Sequence, residues 1–260
     1  MIALLDIDSL FYLSCYKLDT PETIERLKIQ DLDRDELVFK LSELAEDRLW
    51  EMVSGIMFDI QNDENNIVID SVETYVTRCK ESVRKKISKE YKANRKPDEV
   101  VNCLRNMFLF SSDAVYDDTL EADDLIADRA KELGEDNCII ITMDKDLKQI
   151  GGLIYNYYRK PSKKDETGQV IESYDRKGLE YVSPINAMKF LAKQMLMGDS
   201  GDRIKGLDKY GIKKAEKIIE PIDSKFGLIR AVLKEYKLVH GDEYSESLML
   251  NFRLLYLGRM

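Results

Sequence analysis

Histidine is almost absent from this chain of 260 residues, and that absence removes most of several kinds of chemistry. His240, near the C-terminus, is the single histidine. Ser-His-Asp and Cys-His catalytic groups and histidine-ligated zinc sites all need a well-placed imidazole. The sequence also lacks a GxSxG motif, a P-loop and a GxGxxG motif. Any chemistry must therefore come from carboxylates, lysines and arginines.

Cysteines and long apolar runs are also scarce. The four cysteines are scattered without a CxxC pair, which argues against a disulfide framework and against a thiolate zinc site. No apolar run is long enough to span a membrane, and no signal-peptide pattern follows Met1. With 44% hydrophobic and 34% charged residues, the sequence predicts a soluble, monomeric globular protein without a membrane partner. We expect it in the cytoplasm of a bacterium or of a phage-infected host.

Alternating strand and helix patterns predict an α/β fold. Residues 2–5 and 138–142 read as short buried strands, and 72–77 as a further strand. Residues 34–62 repeat apolar positions every three to four residues, as a helix does. Strands that alternate with helices favour a central, mainly parallel sheet flanked by helices.

The second part of the chain has a different character. We expect residues 1–182 to form the α/β core and residues 183–260 to form a helical C-terminal region. Between them, residues 155–181 predict an exposed β-hairpin with a polar tip. The basic residues of that hairpin are explained most simply as a solvated loop; they are Arg159, Lys160, Lys163 and Lys164.

Acidic residues gather at the ends of these predicted elements. The clusters are Asp6 with Asp8, Glu121 with Asp123 and Asp124, Asp144 with Asp146, and Asp199 with Asp202. Each cluster alone could be a helix cap or a turn. In an open α/β sheet, however, the carboxyl ends of the strands meet at one edge, where ligands bind. The joint pattern therefore favours one shared acidic site.

The negative charge of such a site must be neutralised. Two carboxylates ~4 Å apart repel by ~4 kcal/mol at an effective dielectric constant near 20. Either several of them take up protons, or divalent cations neutralise them. Oxygen ligands without histidine or cysteine select Mg²⁺ or Mn²⁺. Two such ions about 4 Å apart would suit displacement at phosphorus, one at the attacking water and the other at the leaving oxygen.

Basic residues are grouped elsewhere, although the formal net charge is −9. Residues 84–96 read "RKKISKEYKANRK" and hold one acid among seven bases. A charge run is usually a solvated face. Here its density and the embedded Tyr91 fit phosphate contact and base stacking. Residues 203–219 form a second basic segment, whose glycines and following helix resemble a hairpin that binds phosphate through backbone N–H groups.

These motifs, in this order, resemble those of the phage-type 5′ nucleases, a family related to flap endonucleases and phage ribonuclease H. The resemblance covers residues 1 to about 220. It rests on "LLDIDSLFY", "EYKANR", "EADD", "TMDKDLKQI", "MGDSGDRIKG" and "GLDKYGIKKA". It implies a PIN-like nuclease core, a helical arch at about 79–110 and a helix-three-turn-helix at about 198–220. Members of the family cut DNA or RNA–DNA hybrids at 5′ ends or 5′ flaps with two divalent ions, and K⁺ often binds at the helix-three-turn-helix.

The resemblance also implies roles for individual residues. Lys92 and Arg95 would lie beside the scissile phosphate, and Asp8 would support the metal ligands. The implied Mg²⁺ or Mn²⁺ ligands are Asp6, Glu121, Asp123, Asp124, Asp144, Asp146, Asp199 and Asp202. The implied DNA contacts are Arg84, Lys85, Tyr91, Lys205, Gly206, Gly211, Lys213 and Lys214.

Two positions depart from the family pattern. Thr77 stands where the family usually has another aspartate, so one metal site is expected to be weaker or built differently. Lys209 stands where the family hairpin usually has a glycine. If that position requires a positive φ, the lysine costs on the order of 1 kcal/mol.

Two other functions remain open. "DIDSL" also fits the nucleophile motif of haloacid-dehalogenase-type phosphatases, in which Asp6 would form a phosphoenzyme. That hypothesis leaves "EADD", "TMDKD" and "EYKANR" without a role. The other alternative, motivated by Thr77, is a DNA-binding protein that keeps the fold without catalysis.

Overall fold

A five-stranded sheet forms the centre of the protein. The computed structural model describes residues 1–63, 66–79, 81–157, 163–164, 170–172 and 178–259. The strands of these ranges are β1 (Ile2–Asp6), β2 (Ser71–Tyr75), β3 (Cys138–Ile141), β4 (Gly152–Asn156), β5 (Lys163–Lys164), β6 (Val170–Glu172), β7 (Gly178–Val182), β8 (Gly198–Asp199) and β9 (Ile204–Lys205). The central sheet has the order β2-β1-β3-β4-β7, in which β7 alone runs antiparallel to its neighbour. The predicted mainly parallel sheet is therefore confirmed.

Helices cover the sheet and build the C-terminal region. They are α1 (Asp8–Cys15), α2 (Pro21–Leu27), α3 (Arg34–Gln61), α4 (Val83–Ile87), α5 (Glu99–Ser111), α6 (Ala122–Leu133), α7 (Pro184–Met197), α8 (Ile212–Ile219), α9 (Lys225–His240) and α10 (Tyr244–Leu255). A short 3₁₀ helix, Lys145–Gln149, follows β3. No helix in the ranges described above is long and apolar enough to cross a membrane.

Each face of the sheet has its own core. β1 and β3 are buried along almost their whole length, as expected for parallel strands covered on both sides. One face packs against α1, α3 and α5, whereas the other packs against α6 and Leu257 near the C-terminus. The helices α7 to α10 form a third core, to which Tyr91 from the earlier basic segment belongs.

Local signals explain where the helices begin. Asp33 caps α3 through a capping box with Glu36, and Asp98 caps α5 by accepting a hydrogen bond from the Val101 N–H. The predicted helix at 34–62 is thus confirmed almost to the residue.

The structure describes most of the predicted arch at about 79–110 but only part of the predicted hairpin at 155–181. Within residues 79–110, α4 is short, 88–98 forms turns and loop, and α5 packs against α1 and α3, so α5 belongs to the core. The pair β5 and β6 is antiparallel, as a hairpin requires. Arg159 and Lys160, and the tip at 165–169, lie outside the described residues.

Candidate active site

The carboxyl ends of the parallel strands open onto a cavity of about 740 Å³. Acidic side chains line its floor; they are Asp6, Asp8, Glu121, Asp123 and Asp144. Basic side chains from the segment before and within α5 line its walls; they are Arg78, Lys85, Lys92, Arg95, Lys96 and Arg105. The sheet therefore brings together carboxylates that are far apart in the sequence.

Asp6, at the end of β1, is at the centre of this group. Only 2% of the residue is exposed. Its carboxylate accepts hydrogen bonds from the Thr142 hydroxyl at 2.8 Å and from the Asp8 backbone N–H at 3.2 Å. Burial, with the charges of Asp8 and Asp144, raises the pKa of Asp6 to about 7. The floor of the cavity thus holds a carboxyl group whose charge is not compensated.

Asp123 also has a raised pKa, and, after burial, the charge of Asp144 is one of the causes. Burial, with the charges of Asp144 and Asp6, raises the pKa of Asp123 well above its ordinary value. Asp144 caps the 3₁₀ helix by accepting the Asp146 N–H at 2.8 Å, and its own N–H donates to the Thr142 hydroxyl. Within the described residues, no lysine or arginine forms an ion pair with Asp6, Asp123 or Asp144. These three carboxylates are the ones that a cation would stabilise most.

Asp8 lies beside the position where the family's aspartate is missing. Its carboxylate accepts the Thr77 backbone N–H at 2.9 Å, while the Thr77 hydroxyl accepts the N–H of Ala122 at the start of α6. Arg105 of α5 lies 3.4 Å from the other Asp8 oxygen. The pKa of Asp8 is nevertheless raised, because burial outweighs the attraction of Arg105. Asp8 therefore holds a carboxylate directly beside Thr77.

Glu121 faces the basic wall of the cavity. The Lys92 ammonium lies 2.5 Å from its carboxylate, and the Tyr91 hydroxyl donates to it at 3.1 Å. Although burial opposes the shift, Lys92 lowers the pKa of Glu121. The Lys92 ammonium also lies 3.7 Å from Asp202, to which Arg95 donates at 2.8 Å. The two predicted phosphate-binding residues thus stand directly beside the acidic floor.

Three further predicted ligands, Asp146, Asp199 and Asp202, form a second group next to the cavity. The Lys145 ammonium bridges Asp146 at 2.8 Å and Asp199 at 2.6 Å. Asp202 is three residues further on and is held by Arg95. In this group each carboxylate has a cation, in contrast to Asp6, Asp123 and Asp144 on the floor of the cavity.

Asp124 and Arg84 do not line the cavity. The predictions that Asp124 is a metal ligand and that Arg84 contacts DNA therefore need correction. The Arg84 guanidinium donates two hydrogen bonds to Asp124, at 2.8 and 2.6 Å, and both side chains are only 6% exposed. Arg84 also donates to the carbonyls of Leu254 and Tyr256. The pair ties α4 and α6 to the C-terminal residues, so Asp124 does not face the cavity and Arg84 is not available to DNA.

Tyr91 also differs from its expected role. It is 4% exposed and belongs to the core of the C-terminal helices, so its ring offers no face to a nucleic-acid base. Its hydroxyl instead orients Glu121.

The segment predicted as a helix-three-turn-helix, at about 198–220, contains the β8–β9 hairpin and α8, and α7 precedes it. A Cβ atom on Gly206 would lie 2.1 Å from the Met197 carbonyl carbon, so a glycine is required there by close backbone packing. Gly211 is the N-cap of α8 and has open space around its Cα. The lysines predicted to contact DNA are exposed; they are Lys205, Lys213 and Lys214. Lys85, another predicted DNA contact, lines the cavity.

Sequence reasoning missed several residues in and around the cavity. Thr142 orders Asp6 and Asp144 by its hydroxyl, and its only sequence signal is its place at the end of a buried strand. Arg105 lies on α5, whose apolar period indicates a core helix and gives no sign of a site residue. Tyr157 follows β4, and the pKa of its phenol is raised by burial and by Asp6. Only the folded chain brings these groups to the carboxylates.

The donor set on the cavity floor fits a hard divalent cation. In the part of the chain that the structure describes, no three acidic, cysteine or histidine side chains are already arranged to hold a metal ion. The floor nevertheless offers carboxylate oxygens, and Asp144 contributes to the raised pKa values of both Asp6 and Asp123. Mg²⁺ and Mn²⁺ prefer such ligands.

Comparisons with known proteins agree with the motifs. No protein-family model matches the chain. A curated relative, the 5′-3′ exonuclease of Buchnera aphidicola subsp. Acyrthosiphon pisum (strain APS), is 32% identical over 145 residues, which are 52% of this chain and 48% of the relative. The chain thus spans about half the length of that relative.

Solved structures with the same fold come from bacteriophage T5. The T5 5′-exonuclease with bound zinc ions superposes with a TM-score of 0.58 at 16% identity, over 98% of this chain and 87% of that chain. A variant T5 flap endonuclease in a pseudo-enzyme-product complex with DNA and metal ions has a TM-score of 0.51 at 16% identity, over the same shares. Over about half of its length the chain is thus similar in sequence to a 5′-3′ exonuclease, and it shares the fold of the T5 5′-exonuclease.

Proposed function

We propose that this protein is a metal-dependent 5′ nuclease that hydrolyses phosphodiesters at 5′ ends or 5′ flaps of DNA, or in RNA–DNA hybrids. The observation that carries the proposal is the cavity itself, in which uncompensated carboxylates face lysines and arginines. The names of the curated relative and of the T5 structures support the same activity. The cation would be Mg²⁺ or Mn²⁺, held by Asp6, Asp123 and Asp144, with Glu121 and Asp8 nearby.

The chain's own residues account for most of the proposed chemistry. Lys92 and Arg95 would bind the scissile phosphate and stabilise the negative charge that develops on it. Glu121 pairs with Lys92 and Asp202 pairs with Arg95, so both basic side chains are held at the cavity wall before substrate arrives. The bound ions would supply Lewis acidity and lower the pKa of the attacking water.

DNA would be held outside the cavity by the exposed lysines of the second basic segment. Lys205, Lys213 and Lys214 are not part of the cavity lining, so binding and cleavage are expected to depend on different residues. A K⁺ ion at this turn and a monomeric state remain part of the proposal.

The Asp144→Asn variant tests the proposal. Because an asparagine side chain keeps the shape of the site but removes one anionic ligand, we expect single-turnover cleavage of a 5′-flap duplex to fall on the order of a thousandfold. DNA affinity, measured by fluorescence anisotropy in Ca²⁺, should stay within about twofold of the wild-type value, since phosphate contacts dominate binding.

Asp136→Asn is the matched control, because Asp136 is exposed and does not line the cavity. Undiminished cleavage by Asp144→Asn would refute the site. DNA binding by the wild type without cleavage in Mg²⁺ or Mn²⁺ would favour the non-catalytic alternative that Thr77 motivated. A phosphoenzyme on Asp6 would favour the phosphatase alternative.

A further inference from the structure

Lys145 occupies the position between two carboxylates that the family resemblance assigns to metal binding. Its ammonium lies 2.8 Å from Asp146 and 2.6 Å from Asp199, although the two acids are far apart in the sequence. The same Asp146 oxygen accepts the Gln194 amide N–H at 2.8 Å. The Asp199 carboxylate also accepts the Gly201 backbone N–H at 2.8 Å. Both acids are therefore held in place with the ammonium between them.

This arrangement differs from the floor of the cavity. Asp6, Asp123 and Asp144 have no ion pair within the described residues, whereas Asp146 and Asp199 share one ammonium. The predicted metal ligands therefore form an uncompensated group and a group that already carries a positive charge. A divalent ion gains more from the first group, because no ammonium must leave before it binds.

The ammonium of Lys145 is free to move away. Its side chain is 59% exposed, and an ion pair with that exposure contributes little to stability. A cation that binds to both Asp146 and Asp199 must displace the ammonium, which lies within hydrogen-bond distance of both carboxylates. The long side chain can then extend into solvent without disturbing the core.

We propose that Lys145 is an internal competitor for the second divalent ion. The first ion binds at the uncompensated carboxylates, and the second binds more weakly because it must displace Lys145 from Asp146 and Asp199. This inference rests on the proposed nuclease function. It holds that Lys145 sets the metal concentration at which the second ion binds.

Direct measurement of Mn²⁺ binding tests this role without catalysis. The full chain, free of nucleic acid, is titrated with Mn²⁺, and free Mn²⁺ is followed by electron paramagnetic resonance. We expect one tight and one weak ion in the wild type. Lys145→Met should tighten the second ion about tenfold, as expected when one competing charge is removed at this distance, and leave the first ion unchanged.

Two further variants make the result specific. Lys148→Met is the matched control, since Lys148 lies in the same 3₁₀ helix but pairs with Glu180; it should bind both ions as the wild type does. Lys145→Arg keeps the charge and should restore the weak second ion.

The possible failures are distinguishable. An unchanged or weaker second ion in Lys145→Met, beside an intact first ion, would overturn the role of Lys145 and leave the proposed function standing. A complete lack of Mn²⁺ binding by the wild type and all variants would overturn both.

Discussion

Lys209 shows how a single residue can be strained without being buried. Its φ is 64°, in the left-handed region, where an L-residue with a Cβ is disfavoured. It lies in the turn before α8, at the position where the resemblance predicted a glycine. We expect Lys209→Gly to raise the free energy of unfolding by about 1 kcal/mol, because the relief of strain exceeds the entropy that glycine adds to the unfolded chain. Urea unfolding at neutral pH measures the change.

The same substitution in a helix serves as the control. Lys217 is exposed in α8, where glycine should lower the free energy of unfolding by about 1 kcal/mol relative to a good helix former. If both variants lose stability equally, the turn does not hold Lys209 under strain.

At the scale of elements, the buried pair Arg84–Asp124 joins α4 to α6 and to the C-terminal residues. Asp124 also accepts the Gly258 backbone N–H, so the pair connects segments from three parts of the chain. Arg84→Met should lower the free energy of unfolding by about 3–5 kcal/mol, because it leaves a buried carboxylate without its partner. Chemical denaturation followed by circular dichroism measures this loss.

Two comparisons separate the buried charge from the loss of a side chain. The double variant Arg84→Met with Asp124→Leu should recover most of the loss, since no unpaired charge remains. Arg34→Met breaks exposed pairs with Asp19 and Glu99 and should cost under about 1 kcal/mol. A double variant no more stable than Arg84→Met would show that the charge is not the cause.

At the scale of the whole molecule, the acidic floor couples metal binding to global stability. The pKa of Asp6 is raised in the folded state from 3.8 to about 7. Because the folded protein binds this proton more tightly than the unfolded chain, the protonated group stabilises the fold at low pH. That stabilisation is lost as the pH rises from 3.8 through about 7. With the metal chelated by EDTA, Asp6→Asn should therefore raise the Tm at pH 8 and change it little at pH 4. Differential scanning fluorimetry at both pH values measures the shift.

Bound Mg²⁺ should raise the Tm, as the Asp6→Asn substitution does at pH 8. We expect Mg²⁺ to raise the wild-type Tm more at pH 8 than at pH 5, because the Asp6 and Asp123 carboxyl groups, with their raised pKa values, ionise more fully at the higher pH. NaCl at matched ionic strength is the control for screening. An equal response to NaCl and Mg²⁺ would contradict specific binding on the cavity floor.

Much of this protein could be predicted from local patterns. Continuous apolar runs such as residues 138–141 indicate parallel strands because both of their faces are covered. Acidic residues directly after such strands, as Asp6 after the apolar run of β1, must meet at one edge of the sheet. Capping residues such as Asp33 mark helix starts by bonds to residues only three positions away. These features depend on neighbours in the sequence, so the sequence by itself determined them.

The charge state of each carboxylate was decided only by the tertiary structure. Asp123 and Asp124 are adjacent, yet within the described residues the first has no ion pair, whereas the second is paired with Arg84, forty residues away in the sequence. Asp146 and Asp199 share Lys145 although 53 positions separate them. Electrostatic compensation depends on distances of a few ångströms between side chains from remote segments. Those distances are set by packing, and spacing along the chain does not contain them.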